Sequence, residues 1–337
     1  MPGSHGDSTL PPGVKLLARA LISATLLGAL LWSVEWDELN SRLGSIDPWP
    51  LSAAFGCFVL QFPLSTYKWQ RALAAHGLKI SFAFLLRVLS IGFFLNNFLP
   101  TSIGGDAYRV YRTLPEEGPG SRAVSSVVLE RLIGVAALVL FGVVGASVVV
   151  QGQQPPIVVG FLAGSVAVLI AIVAIAALAR TRPSRRIRRR LASSPKLAAI
   201  TDNLERIRES RHELVQVVAV SLVFQAVAVT ATWLLFRAVG ATPSIAQCAL
   251  VGAVSALVAV LPISFNGVGV LEGAFVVSAV QIGLDASQSV AVALLSRVAV
   301  IVLSLACGLF YVVEPRTARP SARSRKTENR SRVASTP

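Results

Sequence analysis

The chain has 337 residues, of which 54% are hydrophobic and only 14% are charged, and its mean hydropathy is +0.67. Soluble domains carry roughly 25% charged residues, so this composition excludes an ordinary soluble protein. Several apolar runs reach the roughly 20 residues with which a helix crosses the hydrocarbon core, and they lack the alternation of membrane β-strands. We therefore predict an all-α polytopic membrane protein.

The net charge of +14 is concentrated in loops and in the C-terminal tail. This distribution is typical of the cytoplasmic flanks of membrane helices and of attraction to anionic lipids, and it argues against nucleic-acid binding. The three cysteines are scattered singly and the three histidines share no motif with them. The sequence therefore predicts neither a disulfide framework nor a metal site, and it indicates no cofactor.

In chain order, a Pro/Gly/Ser-rich tail predicted to be disordered (1–14) precedes a membrane domain at 15–314, and a basic disordered tail (315–337) follows. About eight transmembrane segments are predicted, as six full spans and two broken hairpins. The basic cytoplasmic linker at 180–213 has apolar residues at helical spacing, which indicates either an amphipathic helix on the membrane surface or a solvated linker helix. The predicted apolar segments are 16–34, 51–66, 82–99, 123–150, 157–179, 214–239, 245–261, 268–282 and 289–313.

Two similar phrases interrupt the apolar segments. The first break segment, 97–106, reads NFLPTSIGGD, and the second break segment, 260–269, reads VLPISFNGVG. Proline and glycine break helices at Pro100 and Pro262, and broken helices at membrane depth survive only where they line a cavity or are buried in protein. Breaks in corresponding positions of two halves point to the binding site of a transporter.

The positions of the basic residues predict that the two hairpins enter the membrane from opposite faces. The positive-inside rule places both termini and the loops around Arg71 and Arg186 in the cytoplasm. The stretch 82–122 then starts and ends inside, and the stretch 245–285 starts and ends outside. We predict inverted repeats at about 50–150 and 214–313, each with a re-entrant hairpin; the alternative is ordinary hydrophobic helices joined by turns at proline.

Ionisable residues within apolar segments are costly and usually functional. Arginines and glycine-turn helix N-termini suit a phosphate, and nearby carboxylates suit charge neutralisation, binding of a cationic headgroup or proton transfer. The alternative is that these charges form internal ion pairs that fix helix packing, or that they reach the interface. The predicted headgroup-binding residues are Arg109, Arg131, Arg297, Gly104, Gly105, Gly267, Gly269, Ser102, Ser264 and Asn266, and the predicted charge partners or proton carriers are Asp106, Glu130 and Glu272.

Signatures of the common catalytic sites do not occur in the sequence. It has no Gly-rich phosphate loop ending in Lys-Ser/Thr, no His-rich metal spacing and no Gly-x-Ser-x-Gly nucleophile turn. We therefore expect no enzymatic activity.

Three segments in order resemble the lysylphosphatidylglycerol synthase transmembrane (flippase-like, UPF0104) family: 94–109 (FLNNFLPTSIGGDAYR), 127–132 (VVLERL) and 261–273 (LPISFNGVGVLEG). The resemblance spans roughly 16–313. It implies an inner-membrane protein similar to the N-terminal flippase half of the multiple peptide resistance factors, which move aminoacylated phosphatidylglycerol between leaflets. The sequence ends in a short basic tail rather than an aminoacyl-transferase domain, so lipid synthesis is not implied and the cargo stays open.

The resemblance and the residues together predict a lipid flippase of the bacterial or archaeal cytoplasmic membrane. Its partners would be membrane lipids, either an anionic phospholipid or a polyprenyl-phosphate-linked lipid. One alternative is a non-transporting accessory subunit of a lipid glycosyl- or aminoacyl-transferase, which would then be its protein partner. Another is a transporter of small water-soluble solutes.

Overall fold

The computed structural model describes residues 46–98, 104–114, 120–149, 155–180, 206–260 apart from 208, and 268–313, together with Gly44. These ranges are helical and contain no strand, which confirms the predicted all-α fold. The predicted first segment (16–34), most of the basic linker and both tails lie outside the described residues. The helices are α1 (Pro48–Ala75), α2 (Phe82–Phe98), α3 (Gly104–Arg112), α4 (Ser121–Val149), α5 (Pro156–Arg180), α6 (Arg211–Ala238), α7 (Ile245–Val260), α8 (Val270–Gln281) and α9 (Ala286–Val313).

Three of the described helices are long and apolar enough to cross a membrane: Ser121–Val149, Arg211–Ala238 and Ala286–Phe310. Shorter apolar helices accompany them at Phe82–Asn97, Val158–Ala171, Ile245–Ala259 and Val270–Gln281. Large apolar side chains on α4 and α9 face outward, as expected of surfaces that contact lipid tails. The chain is a polytopic membrane protein.

Helices α1 and α6 pack against each other along their whole length and run antiparallel. At one end, the Asp47 backbone N–H donates to the Ala238 carbonyl over 2.9 Å. At the other end, the Ser210 hydroxyl donates to the Ala75 carbonyl over 3.2 Å. The spacing along the chain from Asp47 to Ser210 equals the spacing from Ala75 to Ala238. The two hydrogen bonds therefore join equivalent positions of two helices that point in opposite directions.

The C-terminal ends of α1 and α6 repeat the same turn. Gly77 and Gly240, which lie two residues beyond Ala75 and Ala238, have φ angles of 79° and 78°. The backbone N–H of the next residue reaches back to the last turn of the helix in both cases, from Leu78 to Leu73 and from Ala241 to Phe236, each over 2.9 Å. This is the Schellman arrangement, which favours glycine at the left-handed position.

The helices that follow α1 and α6 also match in order. A long helix, an apolar helix of 17 or 16 residues, a short helix and a second long helix follow each other as α1–α4 and again as α6–α9. Helix α4 packs on α7, and the equivalent pair, α9 and α2, is also in contact. Because the leading helices α1 and α6 are antiparallel, the two halves are inverted relative to each other.

Small residues allow the close approach of α4 and α7. A Cβ atom at Gly145 would lie 2.5 Å from the carbonyl oxygen of Ala246, and one at Gly142 would lie 2.5 Å from the Cβ atom of Ala253. Glycine and alanine at such positions let two membrane helices approach until their backbones touch, which maximises van der Waals contact. This contact joins the first half of the protein to the second.

Candidate functional site

At the first break, α3 is held tightly against α2. The backbone N–H of Gly105 donates to the Asn96 side-chain oxygen over 2.7 Å. A Cβ atom at Gly105 would overlap the carbonyl oxygen of Gly92, so only glycine fits. The chain thus returns from the break directly onto the helix that precedes it.

At the second break, the start of α8 is capped by its own side chain. Gly269 has φ 79°, and its N–H donates to Glu272 Oε2 over 2.7 Å. The glycine turns before α3 and α8 predicted free backbone N–H groups for an anion. In the structure, the N–H groups of Gly105 and Gly269 are bonded within the chain.

The same acid–arginine pair occurs in both halves. Asp106 in α3 binds Arg131 in α4 over 2.8 Å, and Glu272 in α8 binds Arg297 in α9. The acid and the arginine are 25 positions apart in each pair, so the two pairs occupy equivalent places in the two halves. Each pair joins the short helix after a break to the next long helix.

The acid–arginine pairs differ in exposure. The Arg131 side chain is 58% exposed, whereas the Glu272 side chain is 2% exposed and Arg297 is partly covered. Glu272 also caps α8, so its two oxygens have two separate partners. The pair in the first half is thus open to its surroundings, and the pair in the second half is enclosed.

A buried cluster of three charged side chains lies beside the first pair. Glu130 in α4 accepts from Lys68 Nζ in α1 over 2.9 Å and from Arg109 Nη2 in α3 over 2.8 Å. Arg109 also reaches Asp106 over 3.2 Å, which connects the buried cluster to the exposed pair. Lys68, Arg109 and Glu130 are each more than nine-tenths buried. Charges at this depth persist only when they are paired.

Aromatic rings line the buried cluster. The Arg109 guanidinium lies 4.2 Å from the centre of the Trp69 ring, and Lys68 Nζ lies 5.0 Å from that of Phe224 in α6. Such cation–π contacts stabilise cations that have left water. Arg109 Nε and Trp69 Nε1 are buried N–H donors for which the described part of the chain offers no acceptor. The buried cluster therefore retains unused hydrogen-bond donors.

The second half has no counterpart of the buried cluster at the equivalent described positions. Ala231 is equivalent to Lys68 when the turns after α1 and α6 are aligned. Phe275 and Ser296 are equivalent to Arg109 and Glu130 when the two acid–arginine pairs are aligned. Phe275 stacks on Phe236, with ring centres 5.9 Å apart. Ser296 donates to the Val292 carbonyl of its own helix. The same helix arrangement is therefore built once with a buried cluster and once with neutral side chains.

The structure brings the predicted charged residues together within each half. Arg109, Asp106, Glu130 and Arg131 form one network, and Glu272 and Arg297 form the other. Gly104, Gly105 and Gly269 lie at or just before the starts of α3 and α8. The predicted residues Pro100, Ser102, Pro262, Ser264, Asn266 and Gly267 lie outside the described residues.

Lys68 is missing from the predicted site residues, because it lies three residues before Arg71, in the stretch predicted to be a basic cytoplasmic loop. The signal was present, because Trp69 follows it and the small or apolar residues 72–75 extend the helical pattern beyond it. The structure continues α1 to Ala75 and buries Lys68. In the ranges that the structure covers, no three His, Cys, Asp or Glu side chains are grouped as metal ligands.

Comparison with known proteins identifies the family. No curated protein matches this sequence. The family described as the lysylphosphatidylglycerol synthase TM region matches residues 16–330, which is nearly the whole chain and includes both break segments. The resemblance seen in the sequence is thereby confirmed, and the chain belongs to the lysylphosphatidylglycerol synthase TM family.

Proposed function

We propose that this protein moves a phospholipid or a polyprenyl-phosphate-linked lipid between the two leaflets of a bacterial or archaeal cytoplasmic membrane. The observation that carries the proposal is the repeated acid–arginine pair. It ties the helix after each break to the next long helix, in two halves that run antiparallel. A carrier that opens alternately to two sides needs two equivalent closures that face opposite ways, and an inverted repeat supplies them.

The polar interior addresses the main barrier to lipid movement. A phosphate headgroup that crosses hydrocarbon loses its hydration, and the cost is prohibitive unless other polar groups replace the water. Arg109, Arg131 and Arg297 offer the planar donors that pair with phosphate oxygens in two parallel bonds. The acyl chains stay in the bilayer, and the headgroup passes along the charged side chains.

In this proposal the short helices α3 and α8, each part of a proposed re-entrant hairpin, move in turn. The Asp106–Arg131 pair is exposed, while the Glu272–Arg297 pair is enclosed. This difference supports one of two access states, in which the first half is open and the second is closed. In the opposite state, the exposures of the two pairs exchange. Both chain termini lie in the cytoplasm in this proposal.

Leaflet exchange in proteoliposomes tests the function. Labelled phosphatidylglycerol, aminoacylated phosphatidylglycerol and polyprenyl-phosphate lipids are reconstituted with wild type, Arg131→Ala and Arg297→Ala. Arg237→Ala is the matched control, because this exposed arginine at the end of α6 contacts the Trp233 ring and belongs to neither acid–arginine pair. We expect exchange for wild type and control, and its collapse in the other two variants.

Two outcomes contradict the proposal. Exchange no faster than in empty vesicles for every lipid favours an accessory subunit that binds lipid for a glycosyl- or aminoacyl-transferase. Uptake of a water-soluble compound without lipid exchange favours a solute transporter. Folding of each variant is checked by gel filtration, so that loss of exchange is not confused with loss of structure.

A further inference from the structure

We propose that the buried cluster of Lys68, Arg109 and Glu130 binds a lipid phosphodiester that carries a single net negative charge. The inference rests on the proposed lipid transport and makes it more specific in two ways. It places the headgroup site in the first half of the protein alone, and it adds Lys68 and Trp69 to the residues that form it.

The charge of the buried cluster and its attached pair is unbalanced. Among the described residues that contact one another here, three are cations and two are carboxylates. One positive charge is therefore left over in a largely buried site, where an uncompensated charge is costly. A phosphodiester with a single net negative charge cancels it, whereas a zwitterionic lipid adds an ammonium group and leaves the imbalance. The cations are Lys68, Arg109 and Arg131, and the carboxylates are Asp106 and Glu130.

The unused donors match the same ligand. Arg109 Nε and Trp69 Nε1 are both buried, and no acceptor for either lies within the described ranges. The Arg109 guanidinium lies directly over the Trp69 ring, so both donors belong to one site. Phosphate oxygens accept several hydrogen bonds at once, and they satisfy N–H donors that an apolar ligand would leave unpaired.

The fold itself does not require the buried cluster. The second half builds the same succession of helices with Ala231, Phe275 and Ser296 at the equivalent positions. Phe275, at the position equivalent to Arg109, stacks on the ring of Phe236 instead of pairing with a carboxylate. Since the second half builds the same succession of helices with neutral side chains, that succession alone does not call for the charges in the first half.

The buried cluster lies where the two halves meet. Lys68 comes from α1, Arg109 from α3 and Glu130 from α4, while Phe224 of α6 brings its ring to Lys68. Arg297, by contrast, forms a neutral one-to-one pair with Glu272. The surplus positive charge of the protein therefore lies at Lys68 and Arg109 and not at Arg297, and an anionic headgroup that moves between the halves meets it there.

Direct binding tests the site. The purified full chain in detergent is titrated with a fluorescent phosphatidylglycerol, and unlabelled phosphatidylglycerol, phosphatidylethanolamine and glycerol phosphate compete for it. We expect phosphatidylglycerol to compete about tenfold better than phosphatidylethanolamine, as for one charged hydrogen bond. Glycerol phosphate tests whether a free anion is the ligand. Competition by it as strong as that of the lipid overturns the assignment to a lipid, and equal competition by the two phospholipids overturns the charge argument.

Variants separate binding from folding. Lys68→Ala/Arg109→Phe/Glu130→Ser copies the residues at the equivalent positions of the second half, and gel filtration checks that it folds. We expect its affinity for phosphatidylglycerol to fall at least about tenfold. Lys68→Arg keeps the charge and retains most of the affinity. The control, Arg237→Ala, removes an exposed arginine that contacts the Trp233 ring, away from the buried cluster, and leaves binding unchanged. Affinity lost in the control but kept in the triple variant overturns the inference.

The leaflet assay distinguishes this inference from the proposed function. Wild type that binds phosphatidylglycerol at the buried cluster but exchanges no lipid leaves the site in place and contradicts transport. If wild type and the triple variant both exchange lipid, and at the same rate, transport is supported and the site is contradicted. Exchange in wild type and its loss in the triple variant support both.

Discussion

At the residue scale, the two acid–arginine pairs have the same chemistry in different surroundings. Exposed ion pairs gain little, because water screens the attraction and the side chains lose entropy, and they contribute about 0–1 kcal/mol. Removing one partner of a buried pair costs about 3–5 kcal/mol, because the other charge stays buried without compensation. Asp106–Arg131 belongs to the first kind and Glu272–Arg297 is close to the second.

We therefore predict that Arg297→Gln lowers the free energy of unfolding by about 3 kcal/mol, and Arg131→Gln by no more than about 1 kcal/mol. The two variants are matched, because each replaces an arginine by glutamine at the same place in its half. Denaturant unfolding of the purified protein in detergent measures both. Equal losses would show that the second pair is as accessible to water as the first.

Glu130 holds two buried cations at once, so its loss removes the carboxylate that pairs with Lys68 and leaves Arg109 only its longer contact with Asp106. We predict that Glu130→Gln lowers the free energy of unfolding by about 3 kcal/mol or more. Lys68→Ala/Arg109→Phe/Glu130→Ser should cost less, because replacing all members of a buried charged group by packed neutral residues is often tolerated. The same unfolding measurement compares the two, and a triple variant less stable than the single one contradicts the explanation.

The charged residues inside the apolar runs can be read from the sequence, but their pairing cannot. Arg131, Glu272 and Arg297 stand out because each interrupts a long apolar run. Their partners depend on how the chain returns after each break, which spacing alone does not determine. Lys68 lies near the end of its helix beside other basic residues, so its burial by α4 and α6 is visible only once those helices are placed.

At the element scale, the apolar runs predicted the helices well. The bounds of α2 and of α4 to α9 lie close to those of the predicted segments, since uninterrupted apolar sequence leaves no other way to satisfy the backbone in a membrane. Helix α1 continues to Ala75, well past its predicted end, because polar residues in its last turns face protein. The segment between α7 and α8 (261–269) is longer than the one between α2 and α3 (99–103). The number of residues along the chain that separates equivalent positions of the two halves is therefore larger after the breaks than before them.

The contact between α4 and α7 depends on Gly145, where any side chain would meet the backbone of the other helix. We predict that Gly145→Ala lowers the free energy of unfolding by about 1–3 kcal/mol, the usual cost of overpacking. Gly164→Ala on α5 is the control, because a Cβ atom there meets nothing within 4 Å. It should leave stability unchanged or raise it slightly, by up to about 1 kcal/mol. Equal melting temperatures for the two variants would show that α4 and α7 can separate freely.

At the scale of the whole molecule, antiparallel α1 and α6 fix the relation between the halves. Their C-terminal turns, at Gly77 and Gly240, are built alike but lie at opposite ends of the helix pair. The sequence predicted this inversion from the placement of basic residues and the two breaks. The distribution of charge also predicts which end faces the cytoplasm, namely the end that carries the turn at Gly77.

Lys79 and Thr242 are exposed and each lies two residues after the glycine of its turn, so they report on the two faces of the membrane. We predict that an impermeant maleimide labels Lys79→Cys only from the cytoplasmic side and Thr242→Cys only from the outside. Right-side-out and inside-out vesicles are compared after Cys57 and Cys307 are replaced by serine. Cys248, which is fully buried, stays as an internal control and should not react. Labelling of both variants from the same side contradicts the inverted arrangement, whereas labelling from opposite but exchanged sides keeps the inversion and reverses the orientation. Alternating access requires that the two variants are labelled from opposite sides, in either orientation, because two halves that face the same way cannot open to different leaflets.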